Sequence, residues 1–259
     1  MGGVTLDDLA TPVELNNPAV RIVSLVPSIT EAIALTCPER LVGCTDWCIR
    51  PTDIEERAGH TVARVRGTKN PNRDAIAALK PDLVVANREE NRQFDVDALR
   101  EAGLPVWVTS IDGAEEAVSS LARLFGAMGV TEPDWLGRAR REWSAPAPGP
   151  VLRAVVPIWR DPWMCAGPGT YIADLLRHCG VELVDLPDDG TRYPHVDLEV
   201  LRGLGADRIV LPDEPYHFTA DDGPEAFPGA DVRLVDGQKL AWYGPSMVGA
   251  RSQLIDAIR

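Results

Sequence analysis

Two stretches of this chain repeat one another in order. Asn72 to Val85 (NRDAIAALKPDLVV) aligns without gaps on Asp197 to Val210 (DLEVLRGLGADRIV). Asp74 falls on Glu199, Ile76 on Leu201, Leu79 on Leu204, Asp82 on Asp207 and Val84 on Ile209. Further on, Gly103 to Val108 (GLPVWV) falls on Gly229 to Leu234 (GADVRL) at nearly the same offset. One such match is expected by chance, because helix–loop–strand units share a composition. Two in the same order predict two lobes of one topology. The spacing also predicts the class. Short apolar runs at Arg21–Val26, Leu41–Thr45, Asp82–Ala86 and Pro105–Thr109 alternate with helical patterns at Ser28–Leu35, Asp74–Leu79 and Phe94–Ala102. Strands that are apolar throughout, separated by helices, are the pattern of a mainly parallel sheet covered on both faces. Ser28 followed by Glu31 reads as a capping box that opens the first helix.

A helical stretch over 114–128 and a second beginning at Thr131, with Pro133 in its first turn, lead to Ala145-Pro-Ala-Pro-Gly-Pro150, the clearest break in the chain. After it the pattern restarts at Val151 to Val156. The expected organisation is an N-terminal extension over 1–20, a first α/β lobe over 21–113, bridging helices and linker over 114–150, and a second α/β lobe over 151–259. Two such lobes make a cleft. Open α/β sheets bind ligands at the carboxyl ends of their strands, so the residues that follow each strand are the candidates.

Charge and motifs narrow the function. The 259 residues carry 26 Lys and Arg against 39 Asp and Glu, a formal net charge of -13. Such a surface repels phosphate backbones and anionic lipid, so no nucleic-acid partner is expected. No apolar run reaches the roughly 20 residues of a spanning helix. Met1 to Val20 has no basic start, apolar core or small-residue cleavage site, so it does not read as a signal peptide. Cysteines number 5, an odd count that argues against a disulfide framework. Cys44 and Cys48 read as small buried thiols rather than a metal or redox pair, since no CxxC accompanies them. There is no P-loop, no GxGxxG after a strand and no GxSxG elbow. Ala166 to Thr170 reads as a turn and helix cap. His60, His178, His195 and His217 form no close pair, so no metal site, cofactor or catalytic residue is assigned.

Arg21-Ile-Val-Ser-Leu-Val-Pro-Ser-Ile-Thr-Glu31, followed by Leu41-Val-Gly43, resembles the opening of the helical-backbone (class III) substrate-binding proteins, the cobalamin, iron–siderophore and haem receptors of ABC importers. Leu79 to Val84 (LKPDLV) matches the second signature of the same family, and Tyr193 to Glu199 and Trp242 to Gly244 sit where its second lobe has comparable segments. The resemblance covers Val20 to the C-terminus. It implies two lobes bridged by one long helix, here within 131–144 (roughly 20 Å of helix), and capture of a metal chelate between them. It implies an exported monomer; a chain whose native start is Met1 would instead stay in the cytoplasm. It also implies that Asp74 and Glu199, paired by the internal repeat, dock onto arginines of the permease. The plainer reading is that each acid complements the dipole of its own helix.

A corrin, haem or siderophore needs flat aromatic walls and a few polar anchors. The candidates that follow strands or lie in loops are Pro27, Ser28, Trp47, Asn87, Arg88, Trp159, Trp163, Tyr193, Tyr216, Trp242 and Tyr243, together with Arg66. The chain departs from the cobalamin type at Arg66 to Thr68 and at Asn87-Arg88, where cationic and amide groups stand in place of tryptophan. Carboxylate or catecholate groups on a ligand suit Arg64, Arg66 and Arg88, because guanidinium pairs bidentately with such anions. The alternatives are a cytoplasmic binding or sensor protein of the same fold and an enzyme holding a tetrapyrrole or metal cluster, for which Cys44, Cys48 and His60 are the first-lobe ligands on offer.

Overall fold

The computed structural model describes residues 3–15, 18–146, 152–187 and 190–259. The chain divides into two compact units. The first comprises 1–111, 117–138 and 243–245, the second 112–116, 139–242 and 246–259.

The first unit is built on five parallel strands. They are β1 (Ile22–Ser24), β2 (Leu41–Cys44), β3 (Ala63–Arg64), β4 (Leu83–Asn87) and β5 (Val106–Thr109), in the order β3-β2-β1-β4-β5. Strands β1, β2, β4 and β5 are buried at every position. That is why they read as apolar runs without alternation: helices cover both faces. In the second unit β6 (Leu152–Val155), β7 (Val181–Leu183), β8 (Arg208–Pro212) and β9 (Val232–Val235) run parallel in the order β7-β6-β8-β9. With β6 set on β1 this is the same order, the first unit having one more edge strand.

The internal repeat is resolved residue by residue. Helix α2 (Arg73–Ala78) aligns on α7 (Leu198–Gly203), and β4 on β8, beginning and ending at aligned positions; α3 (Gln93–Glu101) and α6 (Tyr171–His178) lie between the two helices in the chain. Val84 pairs with Val106 in one sheet and Ile209 with Val232 in the other, so the register repeats as well. Gly103 and Gly229, aligned in the sequence, both hold positive φ (78° and 82°) in the turn before the last strand, a conformation that costs a residue with a Cβ.

Several local expectations are corrected. The first helix, α1 (Pro27–Thr36), starts one residue before the predicted cap. Pro27 occupies its first turn, and Val26 is the capping residue with no side-chain bond. Proline needs no N–H partner there, so the Ser28 capping box does not form. Thr131 caps nothing either: the helix after the α4 segment (Ala114–Ala127) is α5 (Asp134–Trp143), and Pro133 lies just outside it. The boundary between the units passes through α5, between Arg138 and Ala139. Of the Ala145–Pro150 break, residues 147–150 lie outside the described residues.

The segment expected to be a mere extension is part of the first unit. Gly3–Leu6 and Pro12–Leu15 form an antiparallel hairpin, with Val13 and Leu15 buried. The buried Asp7 at its tip accepts the Leu9 and Thr11 N–H groups and reaches the backbone N–H of Val108 and the guanidinium of Arg100. Asp8 accepts the Ser110 N–H. The hairpin therefore grips the carboxyl end of β5.

Candidate aromatic and cationic rims

In a parallel sheet the strand ends and the N-termini of the following helices share one edge, and some of the candidate residues stand exposed there. In the first unit the turn after β2 carries Trp47, which is 66% exposed. Its backbone is fixed from two sides. The Arg64 guanidinium donates to the carbonyls of Thr45 (2.9 Å) and Cys48 (2.8 Å), and the Asp46 N–H donates to the Arg66 carbonyl (2.9 Å). Arg64, read above as an anion partner, is thus committed to this turn. Gly67 underlies the indole: a Cβ there would lie 3.2 Å from Trp47 Nε1. Arg66, at φ 69°, is exposed beside it in a two-residue hairpin with Asn70–Pro71. Arg88 is exposed at the end of β4.

Asn87 is placed differently from the expectation. It is 3% exposed, and its amide is used inside the protein. The Nδ2 group donates to the Thr109 carbonyl and hydroxyl, while Oδ1 accepts the Glu89 and Glu90 N–H groups. It ties β4 to β5 and shapes the turn that presents Arg88. Its partner Asn91 was not a candidate. Asn91 accepts the Asn87 N–H (2.8 Å) and donates to the carbonyls of Leu25 (3.3 Å) and Thr68 (2.9 Å). One buried amide thus joins the end of β4 to the loops that hold Leu25 and Thr68. Asparagine after a strand was the available signal; Leu25 and Thr68 are distant in sequence. Pro27 is half-buried and Ser28 is buried in the first turn of α1. Gly244, at φ 139°, passes close over that turn, where a Cβ would lie 3.2 Å from the Ser28 carbonyl oxygen. Tyr243, beside it, is 7% exposed.

In the second unit the chain leaves β6 into a hairpin of Pro157–Trp159 with Met164–Cys165. Trp159 is 43% exposed and meets half-buried Tyr216 edge-on, ring centroids 5.6 Å apart. A charged network sets this pair: Tyr216 donates to Asp222 (2.7 Å), and Asp222 pairs with Arg160, which also pairs with Glu225 (2.7 Å). The bond to Asp222 raises the Tyr216 phenol above its ordinary value, so it remains a donor.

Three of the aromatic candidates lie inside rather than at the edge. Trp163 is core, stacked on Phe218 at 6.0 Å and met edge-on by Phe227 at 5.3 Å. Trp242 is 9% exposed, its indole donating to Glu214 (2.9 Å). Tyr243 is equally covered. Clustering of aromatics in loop sequence pointed to ligand contact; here the loops themselves are packed. Tyr193 is half-buried, two residues before His195, which bridges to Met164. A groove of about 370 Å³ runs at this edge, lined by Pro162, Trp163, Pro187, His195, Leu198 and Val200.

The acids of the 213–217 loop bond within the second unit, Asp213 to backbone and Glu214 to side chains. Asp213 accepts the Gly237 N–H (2.6 Å), and Glu214 takes Trp242 and Gln238. Among the described residues no three His, Cys, Asp or Glu side chains converge as metal ligands. All five cysteines are free and buried. Asp74 and Glu199 are exposed at the second position of α2 and α7, the equivalent place in each unit, and Glu199 pairs with Arg202.

No family model matches the chain. A protein of Pectobacterium carotovorum subsp. carotovorum named "Vitamin B12-binding protein" is 23% identical over 206 residues, 75% of this chain and 72% of that protein. Among solved structures, the periplasmic vitamin B12 binding protein BtuF of Vibrio cholerae superposes with a TM-score of 0.74 at 20% identity, covering 93% of this chain and 96% of that one. A periplasmic haem-binding protein from Pseudomonas aeruginosa gives 0.70 at 20% identity, covering 93% and 94%.

Proposed function

We propose that this chain, which has the fold of the helical-backbone (class III) substrate-binding proteins of ABC importers, is a non-catalytic receptor that captures a metal chelate of the cobalamin, haem or ferric-siderophore class outside the cytoplasm and hands it to a permease. The observation that carries this reading is the pair of rims. Each unit carries an exposed tryptophan beyond a sheet strand: Trp47 on a turn held by Arg64 in one, and Trp159, edge-on to Tyr216 at the end of a hairpin strand, in the other. Preformed aromatic faces suit a large flat ligand, because little ordering is left to be done on binding. Exposed Arg66 and Arg88 favour a chelate that carries carboxylate or catecholate groups, within that same class.

Calorimetry of the purified chain against cyanocobalamin, haemin and a set of ferric siderophores tests the proposal. One of these is expected to bind one-to-one with micromolar or tighter affinity. Binding of none of them overturns it.

Asp74 and Glu199 support a permease contact within this reading: both are exposed, and the duplicated topology repeats them at the same position of each unit. Because exposed ion pairs are each worth up to about 1 kcal/mol, Asp74→Ala and Glu199→Ala are each expected to weaken the permease complex by roughly two- to five-fold. Ligand affinity should be unchanged. Unaltered permease binding by the double variant removes these residues from the interface.

A further inference from the structure

The internal repeat sets Asp197 on Asn72, Glu199 on Asp74, Val200 on Ala75 and Arg202 on Ala77. The aligned residues are used differently. Asn72 caps α2, its side chain accepting the Ala75 N–H (3.1 Å). Asp197 holds the same position before α7, yet its side chain makes no capping bond. An aspartate there ordinarily stabilises its helix by accepting one. Asp197 is exposed, and among the described residues its carboxylate has no hydrogen bond or ion pair. Glu199 is shared with Arg202, whereas Asp74 has no ion pair among the described residues and Ala77 stands in the place of that arginine. The uncommitted carboxylate is therefore Asp74 in the first unit and Asp197 in the second.

Asp197 lines the groove of about 370 Å³, whose other walls are mostly apolar: Pro162, Trp163, Pro187, Leu198 and Val200. Trp163 is held by Phe218 and Phe227, so that wall is preformed. Arg160 is committed to Asp222 and Glu225, and Arg202 to Glu199, so neither pairs with Asp197.

We infer that this groove is the second unit's anchor on the permease: it takes an apolar side chain of a permease loop, and Asp197, more than Glu199, pairs with the arginine or lysine beside it.

The inference rests on the receptor reading above. Charge decides the occupant. The chelates that Arg66 and Arg88 favour are anionic, and Asp197 repels them. A cationic, partly apolar loop matches both features of the groove. Asp197 and Val200 flank Glu199 in sequence, so the groove continues the surface already assigned to the permease. At the aligned positions the first unit offers a neutral, committed Asn72 and the smaller Ala75. The two units are thus unequal in what they offer a partner.

The test uses the full chain, labelled with nitrogen-15, and the peptide acetyl-Leu-Arg-amide as probe. Titration should shift the Trp163 indole resonance and the amides of 195–200, with a millimolar dissociation constant. Acetyl-Leu-Glu-amide should bind roughly tenfold more weakly, because it sets a like charge on Asp197. Asp197→Asn should weaken the Leu-Arg peptide about three- to five-fold, as for an exposed ion pair, and Glu199→Gln by less. Val200→Ser should also weaken it; Val200 is 41% exposed, so the remaining resonances should stay in place. Shifts scattered over the surface, or equal affinity for the two peptides, overturn the groove. A greater loss at Glu199 than at Asp197 overturns the choice of anchor. With the permease itself, Asp197→Asn should cost more than Glu199→Ala; wild-type binding by the Asp197→Asn chain overturns the anchor. A permease that does not bind the wild-type chain overturns the receptor reading and the permease as occupant, while the peptide titrations decide the groove separately.

Discussion

Asn91→Ala is expected to lower the unfolding free energy by about 3 kcal/mol, since it removes two buried hydrogen bonds and a part-buried one, worth about 1 kcal/mol each, and leaves at least one polar group unpaired. The side chain is 5% exposed and is the common partner of Asn87, Leu25 and Thr68. Those residues lie at the end of β4, just after β1 and beside Arg66. The loss should appear as a lower urea midpoint with an unchanged slope, because the denatured state exposes nearly the same surface. Asn91→Asp keeps the acceptor but removes both donors and sets a charge against two carbonyls, so it should be no milder. A cost below about 1 kcal/mol for either variant would mean that the edge of the first sheet is held by something other than this amide. Ligand affinity should fall in parallel, because the Thr68 loop also carries Arg66.

The second large effect concerns binding and leaves the fold alone. Trp47→Ala should weaken chelate binding by roughly 10- to 100-fold, or about 1.4–2.7 kcal/mol, the range for losing one aromatic wall of a ligand site. Trp47 is 66% exposed, so removing its indole uncovers little core, and the urea midpoint should hardly move. Trp159→Ala should act similarly, moderated by its edge contact with Tyr216. The decisive comparison is calorimetry on the two single variants and the double variant. An affinity unchanged in both singles would show that the exposed tryptophans are not the ligand wall.

Which aromatics reach the surface was not legible in the sequence. Trp159 and Trp163 are four residues apart in one loop, and nothing local separates them. Hairpin geometry does: Trp159 turns outward beside Tyr216, while Trp163 is drawn between Phe218 and Phe227, which arrive from a loop more than fifty residues away. Trp242 is likewise claimed by Glu214. The same holds for polar groups. Arg64 and Asn87 looked available because a sequence does not display the carbonyls of Thr45, Cys48 and Thr109 that occupy them. The Ser28 cap failed for a local reason, the proline one residue earlier.

The architecture was readable from local patterns alone. Continuous apolar runs, helical spacing and a repeat that preserves element boundaries and even strand register are short-range patterns, and burial on both faces of a parallel sheet leaves them little alternative. Which side chains stand at the sheet edges with a face to offer was set by long-range packing. That depends on hydrogen bonds and ring contacts between residues far apart in the chain, and on the competition between packing a loop and presenting it.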